Sequence, residues 1–140
     1  MIWKANIGKL MHAFKAFRGS KPIFENDKLL IVKSVCKDEE IDNYENLKDY
    51  IIKKLKNEGY DIIENPEEID EFVDKINENF MKEKDITPFG FEKMKESFKI
   101  IGCECDYAIG KKNNIMVGVT IYYDKNMKKP KFIEVVGLCL

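Results

Sequence analysis

The chain contains no glutamine, one histidine, one arginine and one tryptophan, and only three serines and two threonines. A single histidine excludes every metal site built from several imidazoles. So few hydroxyls leave few nucleophile–base pairs, and neither Ser34 nor Cys36 stands at a signature spacing from His12. No Walker loop, Gly-x-Gly-x-x-Gly fingerprint or nucleophile elbow occurs. No window approaches the ~18 consecutive apolar residues of a membrane helix. Near the start, Lys4, Lys9, His12 and Lys15 interrupt the apolar run a signal peptide needs. The four cysteines (Cys36, Cys103, Cys105 and Cys139) include no Cys-x-x-Cys pair. Without a secretion signal they are expected to be reduced thiols in a cytoplasmic protein.

What is present suits a single folded domain. The chain has 140 residues, 44% of them hydrophobic and 35% charged. A chain of this length buries roughly two-thirds of its unfolded surface, so a core forms without disulfide or metal staples. Ordinary apolar content and a net charge of −1 argue against disorder. That near-zero total is a cancellation. Residues 1–24 carry +5, residues 25–97 carry −9 and residues 98–140 carry +3. It therefore excludes only a uniformly basic surface of the generic nucleic-acid-binding kind. With 23 lysines to one arginine and many Ile, Glu and Asn, the composition suits an A/T-rich prokaryotic genome. Abundant Lys and Glu without Gln fit heat adaptation, while eleven thermolabile Asn weigh against it. The texture resembles that of thermophilic methanogenic archaea and of clostridia alike.

Periodicity predicts a basic amphipathic helix over residues 2–17, with Trp3, Ile7, Leu10, Met11, Phe14 and Phe17 on one side. Gly19-Ser20 and Pro22 end it. A strand follows over 28–36, apolar on both faces. A second helix is predicted over 39–58, with Ile41, Tyr44, Leu47, Ile51 and Leu55 facing inward and Gly59 as its stop. A short strand falls at 60–63. Asn65-Pro66-Glu67-Glu68 reads as cap, first-turn proline and capping box for a third helix to about residue 82. Thr87-Pro88 starts a shorter helix to about Ser97. Three segments of period two, 99–109, 114–123 and 131–139, predict an antiparallel meander. Gly118 lies opposite the apolar face of its middle strand and invites close approach of a helix. The expectation is one α+β domain over 1–140: a basic helix in 1–24, an acidic helix-rich part in 25–97 and a β-meander in 98–140. Its four- or five-stranded, mainly antiparallel sheet is packed by three or four helices.

Candidate chemistry is sparse. Cys103 and Cys105 alternate onto one strand face, and a zinc or redox site would recruit Cys36, Cys139 or His12 to them. Small buried hydrophobe is the plainer role for each thiol. Glu104 and Asp106 lie on the other face, as an acid–base pair or a solvated edge. The N-terminal segment offers Lys4, Lys9, Lys15, Arg18 and Lys21 with Trp3 to an acidic partner, an anionic membrane surface or phosphates. Packing of that helix on its own sheet is the simpler use. The apolar end, residues 135–140, is either a sheet strand or a docking tail. No catalytic constellation and no cofactor motif stands out. The sequence therefore favours a non-enzymatic protein that works through a protein partner or self-association. The rivals are a metal or redox protein, a peripheral membrane or nucleic-acid binder, and a small-ligand enzyme using Glu104 or Asp106.

Overall fold

Alternating apolar residues build the sheet from the C-terminal end outward. In the computed structural model, β4 (Cys103–Lys112), β5 (Ile115–Asp124) and β6 (Lys129–Cys139) form the antiparallel meander that period two predicts. Asn113 turns the first hairpin with φ 54°, a left-handed conformation that asparagine tolerates. The structure describes residues 2–13, 17–36, 47–81, 103–124 and 129–140. The predicted helix at 88–97 lies outside them.

The fold is α+β, with three helices and six antiparallel strands among these residues. The sheet order is β1-β2-β6-β5-β4-β3. Strand β2 (Leu29–Cys36) pairs with β1 (Phe17–Glu25) on one side and β6 on the other, and β6 also pairs with β5, so β6 is a central strand. The apolar C-terminus is therefore sheet core and not a docking tail. Val135, Val136 and Leu138 are all buried, and the backbone beyond is tied down by Cys139 N–H to the Lys28 carbonyl at 2.8 Å.

Strand β1 (Phe17–Glu25) corrects the expected helix, which ends early: α1 spans Ile2–Ala13. Phe17 and Arg18 thus belong to a strand and not to the helical stripe. The segment 17–25 contains Gly19 and Pro22, which are poor strand formers, and its register slips twice against β2. Both features are tolerated because β1 is an edge strand with one neighbour. The legible sign of this hairpin was Asn26. Its Oδ1 accepts the N–H groups of Lys28 and Leu29 at 2.9 and 2.8 Å and closes the turn.

Helix α2 (Leu47–Asn57) buries Leu47, Ile51 and Leu55, as its periodicity requires. Gly59 follows at φ 88°, the left-handed stop that favours glycine. Strand β3 is only Asp61–Ile62. Helix α3 (Pro66–Met81) opens on Asn65, whose Oδ1 accepts the Glu67 N–H at 2.8 Å.

Two cores result. On one face α1 and α2 cover Leu30, Val32, Val117, Val119, Ile121 and Val135. On the other, Phe72 and Ile76 of α3 cover Leu29, Ile31, Ile109, Met116, Val136 and Leu138. Gly118 lies in register between Ile109 and Val136, on the α3 side. On the other face a close helix approach falls at Gly137. A Cβ there would stand 2.9 Å from Ile7 Cδ1 and 3.3 Å from the Trp3 ring. Ile7 is only 1% exposed and has no room to retreat. Gly137→Ala is therefore expected to destabilise the protein by about 1–3 kcal/mol, as overpacking does. Shortening the opposing side chain with Ile7→Val should recover part of that loss. Urea unfolding of the two single variants and the double variant measures this coupling. Additive losses would mean that α1 does not rest on Gly137.

Candidate functional site

Strand register decides which cysteines can meet. Cys139 lies opposite Ile115 at one end of β5. Cys105 and Cys103 lie opposite Tyr122 and Asp124, seven and nine residues further along. At about 3.3 Å per residue, that is roughly 23 Å or more. Cys36 pairs with Phe17 at the end of β2 remote from Leu29, which itself pairs with Leu138 beside Cys139. A four-cysteine centre is therefore incompatible with the sheet. Cys139 is half-buried and within 3.7 Å of Asn114 Nδ2. His12 is exposed on the last turn of α1. Among the described residues no group of three or more His, Cys, Asp or Glu is placed to hold a metal ion.

The basic segment is divided by the fold. Trp3 is 7% exposed and packs in the core, so it is no stacking platform. Lys4 bonds Glu25 at 2.7 Å, joining the +5 segment to the acidic middle of the chain. Lys9 is exposed. Arg18 and Lys21 lie on β1 and not on the helix, and Lys15 lies outside the described residues. Of the paired carboxylates, Asp106 meets Lys48 of α2 at 3.4 Å and accepts the Tyr107 N–H at 2.8 Å. It is a solvated edge group held by local partners.

Two features remain that sequence reasoning did not find. The first is a groove of about 200 Å³ at the β3–β4 edge. Strand β3 pairs with β4 only through Asp61–Lys111 and Ile62–Gly110, with one further bond from Ile63 N–H to the Ile109 carbonyl at 2.8 Å. Strand β4 runs on beyond that short cover. Ile52 of α2, Ile62, Ile63, Ile69 of α3, Tyr107 and Ala108 line the groove, and exposed Lys48 and Glu64 add one charge of each sign. It joins the two cores around the sheet edge, since Ile52, Ile62 and Ala108 belong to one and Ile63, Ile69 and Tyr107 to the other.

The second is Glu134. It sits in the middle of β6, 5% exposed, on the face that α3 covers. In register it stands between Lys33 of β2 and Thr120 of β5, and Tyr107 of β4 completes the row. Glu134 Oε1 and Thr120 Oγ1 are both buried without a hydrogen-bond partner. Burial pushes the Glu134 carboxyl up to about 7, against a smaller opposite pull from Lys33. Tyr60 is also raised, by burial and then by Glu58, and moves away from neutrality. The signal for Glu134 was available: it is the one charge in the run Phe132-Ile133-Glu134-Val135-Val136. Its meaning depended on β6 being central.

Residues 6–137 match the model of a family described as an uncharacterized protein conserved in archaea (DUF2120), and the chain belongs to that family. It is similar to an uncharacterized protein of Methanocaldococcus jannaschii, 61% identical over 141 residues, covering 99% of this chain and 84% of the relative. No solved structure matches it. The family's archaeal distribution agrees with one of the two sources, archaeal and clostridial, that the composition resembles. No helix of the described residues is long and apolar enough to cross a membrane.

The burial of Glu134 has a defined pH signature. The folded carboxyl holds its proton to about 7, while the unfolded one releases it near 4.5. The folded state thus binds the extra proton, and stability falls as pH rises from 4.5 towards 7 and stays lower above it. Glu134→Gln removes the charge. It is expected to match the wild type near pH 4.5 and to exceed it by up to about 3 kcal/mol above pH 7.5, at 1.36 kcal/mol per unit. Urea midpoints across that range check this, and parallel curves for the two proteins would contradict it.

Proposed function

We propose that the protein is a protein–protein interaction module, an accessory subunit, that receives an apolar side chain of its partner in the groove at the β3–β4 edge. The groove's size and lining carry this reading. About 200 Å³ is below the 300–1,000 Å³ usual for small-molecule sites. It suits one anchoring side chain of the kind that dominates protein interfaces. Seven apolar side chains line it, Ile109 among them, with one cation and one anion beside them, the pattern of an apolar centre and polar rim.

Strand addition is the less suitable mode. Tyr107 N–H, which an added strand would need, is already taken by Asp106 Oδ1 at 2.8 Å. That bond blunts the edge in the way native sheets protect themselves. Side-chain insertion does not need the backbone. The rival use of α1 on a membrane or nucleic acid is disfavoured because Trp3, Ile7, Leu10 and Met11 are spent on the protein's own core. The metal or redox alternative is left with Cys103 and Cys105, since register separates Cys139 from them and strands β6 and β5 lie between them and Cys36.

Ile52 is half-buried on α2 and offers a direct test. Tagged wild-type protein is expected to self-associate or to hold a stoichiometric partner from extract of an archaeal host, read by light scattering and mass spectrometry. Ile52→Asp should weaken that complex by at least about tenfold, the scale of an interface anchor, with the variant's thermal melt confirming that it is folded. A strictly monomeric wild type without a stoichiometric partner defeats the interaction reading. A complex that Ile52→Asp leaves intact defeats the groove.

A further inference from the structure

We propose that Glu134 and Thr120 form a proton-binding site in the middle of the sheet, bridged by a single internal water molecule. The two side chains project from directly opposed positions of β6 and β5, where Cβ atoms stand about 5 Å apart. Both are almost fully buried, at 5% and 0% exposure. Neither Glu134 Oε1 nor Thr120 Oγ1 reaches a partner. Two facing polar atoms that do not meet directly are the arrangement a bridging water completes. Orphaned buried polar groups are the usual anchors of internal water. Such a water donates to the carboxyl oxygen and exchanges a hydrogen bond with the hydroxyl.

Gly118 lies two positions from Thr120 on the same face and diagonal to Glu134, opposite Val136.

Among the described residues the charged and titratable groups around the site are few. Lys33 on β2 faces Glu134 and is exposed, linking the row to solvent. Tyr107 on β4 ends the row, and Tyr122 on β5 lies one position beyond Thr120 on that face. From α3 the face receives Phe72 and Ile76, with Asn79 bonded to its own helix at Lys75 and Glu78 exposed. No group in this set matches Glu134 in burial and charge. Protonation removes the buried charge and supplies an O–H donor. Loss of the proton leaves a carboxylate that the water, held by the hydroxyl, stabilises as a donor.

Carbon-13 NMR of glutamate-labelled protein reads the site directly. The Glu134 carboxyl is expected to titrate in the neutral range, well apart from the exposed glutamates. Thr120→Val removes the hydroxyl that holds the bridging water and should raise that midpoint by about half a unit or more, while Thr120→Ser should leave it in place. Water-selective NOE spectra of the wild type should show a long-lived water at the Thr120 methyl. Absence of that water in the wild type overturns the bridge, even if Thr120→Val does not fold. A Glu134 midpoint in the ordinary carboxylate range overturns the proton site.

Discussion

Everything in this molecule depends on β6 being covered on both faces. It lies between β2 and β5, with the α1 and α2 core on one side and the α3 core on the other. From Ile133 to Leu138 every residue of it is buried. That constraint explains Gly137, where the approach of Ile7 leaves no space for a Cβ. It also explains why Glu134 stands apart among the described acidic residues, as the one that is buried: an ionised carboxylate placed there is costly unless it is paired and hydrogen-bonded.

Charge plays a smaller part in stability than its abundance suggests. The ion pairs Lys4–Glu25, Lys48–Asp106 and Lys75–Glu71 all include at least one substantially exposed partner. Pairs of that kind contribute little, about 0–1 kcal/mol. Burial of Ile7 or Leu10 contributes more, about 1.5–3 kcal/mol for a side chain of that size. Helix α1 is therefore held by its apolar stripe, and Lys4 fixes its orientation relative to β1. The contact also answers the question set by the segregated charge, because the basic segment meets the acidic middle within the molecule.

The same ordering bears on function. Binding through a free amphipathic helix needs an apolar face that the fold leaves open, and α1 has none to spare. The groove at the β3–β4 edge exists because β3 is two residues long beside a strand of ten. The mismatch exposes apolar side chains from both cores at one place. Asp106 covers a backbone donor on that edge while leaving the side chains accessible. An edge that resists strand pairing but offers an apolar recess is suited to recognising one side chain.

The sequence by itself determined the local elements whose period and caps agree: the meander, β2, the Asn65 cap, the Gly59 stop, and the inward positions Trp3, Ile7, Leu10 and Met11 of α1 and Leu47, Ile51 and Leu55 of α2. These follow from nearest-neighbour geometry, which the chain carries in its spacing. Tertiary structure alone decided three other things. It made Phe17–Glu25 a strand, because an edge position tolerates the glycine, proline and register slips that remove alternation. It separated Cys139 from Cys103 and Cys105, because distance across a sheet depends on which strands pair. It turned Glu134 from one more acid into a buried group, because burial is a property of the strand order and not of the residue.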